Sequence, residues 1–216
     1  RIRGRLGTLT WSLLQGCGLV LLMLGLFLRP KLAFWVLMGI PVSFAGAVFL
    51  MPGLGVTANI TSLFGFLIAL GLVVDDAIIT GENIYSKFKA GMDPFEASVK
   101  GTQEVAIPVT FGALTTIVAF LPLLFFEGDW GQFAKQVPPV VALVLLFSLV
   151  ESKLVLPSHL TSLKKEISRP GLFSRFQQSI ANSLGWFVTR VYQPSLEFAV
   201  SNRTSVVSGF IAVALI

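Results

Sequence analysis

The stretch Gly71-Leu72-Val73-Val74-Asp75-Asp76-Ala77-Ile78-Ile79-Thr80-Gly81-Glu82-Asn83 constrains this chain more than any other. Val56 to Val74 contains no charged residue, and Ala77 to Gly81 is uncharged again. Two adjacent carboxylates therefore interrupt an apolar run of membrane-spanning length. At the centre of a spanning helix each Asp costs roughly 2.5–3.5 kcal/mol on an insertion scale, so such residues face a protein interior and mark function.

Composition agrees that the solvent is lipid. Of 216 residues, 54% are hydrophobic and 12% charged, against about 25% charged in soluble domains. The mean hydropathy is +0.82. Spans, not soluble domains, are the units to count. The net charge of +5 does not point to nucleic acid. The basic residues flank apolar runs and form no patch with interleaved aromatics, so the bilayer, with its anionic headgroups, is the expected partner. Cys17 is the one cysteine and lies in an apolar run, which excludes an internal disulfide. The start, Arg1-Ile2-Arg3-Gly4-Arg5, has no signal-peptide pattern and no initiator Met, and the last apolar run stops at Ile216. A piece of a larger protein is expected.

Leu9 to Leu28 is charge-free for the length a helix needs to cross about 30 Å of hydrocarbon, and Arg29-Pro30-Lys31 ends it. A second span, about 32–51, holds Gly39 and Pro41, which membrane helices tolerate. Pro52-Gly53-Leu54-Gly55 reads as a tight turn. The third span, about 56–84, carries the Asp pair among the small residues Gly65, Ala69, Gly71, Ala77 and Gly81, which let helices approach closely. Tyr85 to Gln103 reads as a polar loop with a helix start inside it: Asp93 as N-cap, Pro94 at N1 and Glu96 at N3. A fourth span covers about 105–126, and its Thr110, Thr115 and Thr116 offer hydroxyls or simply bond their own backbone. Glu127-Gly128-Asp129-Trp130 reads as an acidic turn, and a fifth span covers about 133–156. Near its end Lys153 can snorkel to the interface, while Glu151 is either part of a buried polar network or interfacial. His159, the one histidine, lies at the edge of that span, where a metal site would lack partners.

After Ser168-Arg169-Pro170-Gly171, apolar residues recur at helical spacing through Phe173, Phe176, Ile180, Leu184, Phe187, Val188 and Val191. That is an amphipathic helix, about 172–191, suited to the membrane interface. The expected fold class is an all-α membrane protein: a polytopic helical bundle of five complete spans plus a truncated sixth, with one cytoplasmic interfacial amphipathic helix. Residues 1–166 form the bundle, 167–203 the cytoplasmic linker and amphipathic helix, and 204–216 the start of a further span. If the loop at Arg29 is cytoplasmic, that side collects 12 of the Lys and Arg residues and the other side 4, namely Arg1, Arg3, Arg5 and Lys135. The bias fixes the expected orientation.

Successive helical residues point about 100° apart, so Asp75 and Asp76 cannot share one narrow stripe. Gly65, Ala69, Asp76, Thr80 and Asn83 follow one face; Gly71, Asp75, Ile78 and Glu82 follow its neighbour. Two carboxylates this close in low dielectric resist being ionised together, and the pair is expected to titrate as a coupled unit. Such a unit can take a proton from one side and release it to the other if a cation stabilises the ionised state. No Lys or Arg stands at evidently comparable depth in another span, so the counter-ion is expected from sequence outside this chain. Thr80, Glu82, Asn83, Thr115, Thr116 and Glu151 are candidate supporting residues. A structural pin between helices and a cation site are the alternatives, and the aliphatic surroundings weigh against the latter.

The pattern Gly-x-x-Val-Asp-Asp-Ala-Ile-x-x-x-Glu-Asn at 71–83 resembles the fourth transmembrane helix of the resistance-nodulation-division (RND) superfamily. Residues 26–35 and 39–44 resemble its second and third helices, Glu151 to Leu160 the end of its sixth, and 172–191 its cytoplasmic interfacial helix. The resemblance implies a proton-driven secondary transporter of the bacterial inner membrane, not an enzyme. It implies protons as coupling ion with no other cofactor, and Asp75 and Asp76 as the proton relay. It also implies a homotrimer working with a periplasmic adaptor and an outer-membrane channel. The double Asp suggests the hydrophobe/amphiphile, acriflavine-resistance-type branch, since metal-exporting relatives usually carry one. The periplasmic porter regions and the second half, which supplies a lysine to the relay in that family, are not in these 216 residues. A non-transporting scaffold or sensing module, or a metal or lipid exporter, are the competing functions.

Overall fold

The computed structural model describes residues 11, 14–16, 18–20, 22–25, 30–162 and 172–215, and every regular element among them is helical. The chain divides into two units, residues 1–165 and 166–216. Among the described residues of the first unit, four helices are long and apolar enough to cross a membrane: Leu32–Leu54, Ile60–Lys89, Pro94–Phe125 and Trp130–Leu160. The expected first span, about 9–28, lies partly outside the described residues; its described residues between Leu14 and Gly25 are helical. Cys17, Arg29 and the N-terminal arginines also lie outside.

Helix α1 (Pro30–Leu50) starts on a proline, whose missing N–H has no helical partner to lose at that position. It ends in a 3-10 turn, Met51–Leu54, closed by Gly55 at φ 69°, a left-handed conformation that favours glycine. Helix α2 (Ile60–Lys89) opens on a reciprocal cap. The Asn59 side chain accepts from the Thr61 and Ser62 amides at 2.9 and 3.0 Å, and the Asn59 amide donates to Ser62 Oγ at 2.8 Å. Asn59 Nδ2 also donates to Gln136 Oε1, one residue before the next long helix of this face. Asn59→Ala should therefore lower stability by about 1 kcal/mol, read as a lower thermal midpoint of the full-length protein in detergent. An unchanged midpoint would show that the cap is idle.

Helix α3 (Pro94–Phe120) begins as the sequence indicates: Asp93 accepts from the Phe95 amide at 3.1 Å, with Pro94 first in the helix. The expected polar loop 85–103 is otherwise corrected. It shrinks to Ala90–Asp93, with Gly91 at φ 101°. Lysines and glutamates there end the hydrocarbon-length run but not the helix, because Phe88, Ala97, Ser98 and Gly101 still point inward. The acidic turn expected at Glu127 is corrected too, since it opens a short helix, α4 (Gly128–Ala134).

Helix α5 (Val137–Val150) runs without a break through a π turn, Glu151–Val155, into α6 (Leu156–Leu160). Pro157 explains the wide turn. In a regular helix its ring would strike the carbonyl of Lys153, four residues back; here the Leu156 amide reaches Glu151 O instead. The core of the unit sits where α1, α2 and α5 meet, around Val36, Ala47, Ala69, Val73, Val140 and Val144.

The second unit contains α7 (Leu172–Phe187), a second π turn (Val188–Tyr192), α8 (Gln193–Ser201) and α9 (Arg203–Ala214). Pro194 stands two residues past this π turn, as Pro157 does past the first, so the same steric cause applies. The stretch expected to be an amphipathic helix is helical, and the helix continues past it to Ser201. Leu184, Phe187, Val188 and Val191 are exposed within this unit.

Candidate functional site: the carboxylates of the bundle

Helix α2 separates the Asp pair as its geometry requires. Asp76 is buried, 9% exposed, in line with Gly65, Ala69 and Thr80; Asp75 is exposed, as are Gly71 and Glu82. Asp76 Oδ2 has no hydrogen-bond partner among the described residues. Thr80 lies one turn on, 1% exposed, and donates to the Asp76 carbonyl at 3.1 Å. It therefore caps backbone beside the buried carboxyl.

The helices around Asp76 are held in register by residues without bulky side chains. On Gly65 a Cβ would lie 3.1 Å from Val140, so α2 and α5 touch there. Eight residues further along both helices, Ser148 Oγ donates to Val73 O at 3.4 Å. The two contacts have the same residue offset, so α2 and α5 run parallel in one register. Continuing that register by three residues, about 4.5 Å of rise, brings Asp76 level with Glu151. Glu151 is 3% exposed, and a Cβ on Gly39 of α1 would lie 2.5 Å from its carboxyl carbon. The carboxyl occupies the space that glycine leaves. The interfacial alternative for Glu151 is thereby corrected: Glu151 is buried.

Lys153 requires the second correction. It is half-buried on the π turn, donates to Thr110 Oγ1 of α3, and by the same register stands two residues past the level of Asp76. The chain therefore does carry a cation near the depth of the Asp pair. Counting along separate spans hid this. Asp76 and Lys153 each look displaced toward one end of their own helix, but both helices run the same way.

The other candidates lie elsewhere. Asn83 Nδ2 donates to Gly101 O at 2.7 Å and to Glu104 Oε2 at 3.1 Å, and Glu104 also pairs with Lys87. These residues clasp α2 to α3, where Gly101 sits directly against Ile84. That antiparallel contact puts Thr110 near the depth of Asp76 and leaves Thr115 and Thr116 roughly 8 Å further along α3. Both spend their hydroxyls on their own helix, on Phe111 O at 2.6 Å and Gly112 O at 3.0 Å. They do not converge on the carboxylates. Glu82 points outward. His159 stacks on Trp35, ring centroids 3.7 Å apart. Among the described residues no three His, Cys, Asp or Glu side chains gather as a metal site would require.

Residues 2–216 match the sequence profile of the AcrB/AcrD/AcrF family. The multidrug resistance protein MdtC of Pectobacterium carotovorum subsp. carotovorum is 34% identical over 195 residues, covering 86% of this chain and 19% of that protein. An uncharacterized transporter of Haemophilus influenzae is 31% identical over 172 residues, 80% of this chain and 16% of that one. Among solved structures, a heavy metal efflux pump superposes with a TM-score of 0.77 at 26% identity, over 99% of this chain and 19% of the pump. The chain thus spans about a fifth of the length of the relatives it matches. Its helices, its motif at 71–83 and these similarities agree: the chain is part of a multi-pass membrane protein and belongs to the AcrB/AcrD/AcrF family of RND transporters.

Proposed function

We propose that this chain is the transmembrane proton-coupling part of a proton/substrate antiporter exporting drugs or other amphiphiles, with Asp75 and Asp76 as the relay. One observation supports the reading: α2 turns Asp76, with an oxygen that has no partner among the described residues, into the bundle, and holds Asp75 on the open face beside it. A coupled pair with one member on each side can pass a proton between two environments. Lys153 supplies one cation on the inner side. A lysine from the second half of the polypeptide would supply another to Asp75. The working protein is then a homotrimer of the bacterial inner membrane, joined by a periplasmic adaptor and an outer-membrane channel, with helix 172–191 on the cytoplasmic face. The substrate class follows the multidrug relatives and the double Asp. Metal export is the second reading, favoured by the heavy metal pump among the structural neighbours.

Substrate-driven proton movement tests the reading. The full-length protein in vesicles with a trapped pH reporter should move protons when an amphiphilic drug is added, and not when a metal ion is. Drug movement with no proton movement sinks the coupling, and proton movement with the metal alone moves the protein to the second reading. A scaffold or sensing module predicts neither.

A further inference from the structure

We propose that Glu151 is a second proton-binding carboxyl of this bundle, separate from the Asp75–Asp76 pair and level with it. Three independent features define the site. The Glu151 side chain is 3% exposed, and its Oε2 has no hydrogen-bond partner among the described residues. Gly39 is the seat: any side chain there would collide with the carboxyl group. One helical turn from Gly39 on the same face of α1, Ser43 is fully buried, and its hydroxyl is also unpartnered. Gly46 packs on Phe147, so α1 and α5 are antiparallel here, and Ser43 falls between the Phe147 and Glu151 contacts.

Among the described residues, the charges around the site leave Glu151 without a counter-ion. From α1 no charged residue among the described side chains faces it. On α2, Asp76, a group of like sign, stands at the same level by register; Asp75 and Glu82 lie on the exposed side of that helix. On its own turn Lys153 is directed to Thr110 of α3. On α3, Glu104 is taken by Lys87 and Asn83, and Lys100 by Glu96. His159 of α6 lies against Trp35. A buried carboxylate with neither a cation nor a donor is strongly disfavoured, and such groups become neutral instead. A proton is the ligand that achieves this in a space bounded by Gly39. A metal ion would need several ligating side chains, and no group of three His, Cys, Asp or Glu residues forms among the described residues. Protonated Glu151 would donate where Ser43 offers an acceptor.

What the second proton does in export rests on the antiport reading above; its presence does not. Infrared difference spectra of the full-length transporter, taken across a pH titration, read the two separately. Asp76→Asn should keep a protonated-carboxyl carbonyl band that Glu151→Gln removes, and Glu151→Asp should restore a band at shifted frequency. An unchanged set of carbonyl bands in Glu151→Gln overturns the proposal. If Glu151→Gln does not fold, Gly39→Ala serves: pushing the carboxyl from its seat should shift that band, and an unshifted band overturns the proposal equally. Normal drug export by both Asp75→Asn and Asp76→Asn would instead sink the relay while leaving the Glu151 band to decide this site.

Discussion

Asp76→Asn in the full-length transporter is expected to abolish drug export while leaving protein level and membrane insertion unchanged. The amide matches the carboxyl in size and cannot release a proton. Removing a proton-transfer group costs roughly 10²–10⁴-fold in rate, so residual export at or below about a hundredth is the expected reading. Insertion should survive because the neutral amide is easier to bury than the charge it replaces. Asp75→Asn should abolish export as well, for a different reason. Asp75 is exposed in this bundle, so its loss severs the relay at the open face and leaves the packing around Val73 and Ala77 untouched. Drug-susceptibility assays in cells, with membrane-fraction immunoblots for level, check both. Normal export by both variants would falsify the relay.

Gly101→Leu is expected to be the most damaging single substitution among those at helix contacts. A Cβ at Gly101 would lie 2.7 Å from Ile84 Cα and 2.9 Å from Ile84 N. Those are backbone atoms, which cannot swing aside, so α2 and α3 must separate. Overpacking costs typically about 1–3 kcal/mol, and a branched side chain against backbone falls at the upper end. Separation also stretches the Asn83–Gly101 hydrogen bond and the Lys87–Glu104 pair. The pair itself is exposed and contributes little. Gly71→Ala is the matched control: nothing lies within 4 Å of its Cβ position, and alanine favours helix over glycine by about 1 kcal/mol. Thermal midpoints of the full-length protein should fall for Gly101→Leu and hold or rise for Gly71→Ala. A neutral Gly101→Leu would mean that α2 and α3 are not in contact there.

These contrasts locate what a linear reading can reach. The division of Asp76 from Asp75 was legible because both residues sit on one helix, where 100° per residue fixes which neighbours share a face. The Asp93-Pro94 start was legible for the same local reason. Tyr85–Gln103 reads as a loop because polarity marks where hydrocarbon ends, whereas the helices continue past that boundary. The Asn59–Ser62 cap was missed although its spacing was visible, since the uncharged run from Val56 drew the span start four residues too early. The π turns do have a sequence signal: a proline six residues after Glu151 and another six after Val188.

The sequence by itself determined that this chain belongs in a membrane, which stretches are apolar enough to cross it, and that two carboxylates interrupt one of them on two adjacent faces. Only the tertiary structure decided which other charged groups stand beside them. Glu151 and Lys153 lie 75 or more residues from the Asp pair, and their depth follows from the register of α5 against α2. That register is set by Gly65 against Val140 and by Ser148 against Val73, contacts that depend on close approach between helices and leave no periodic trace along either one.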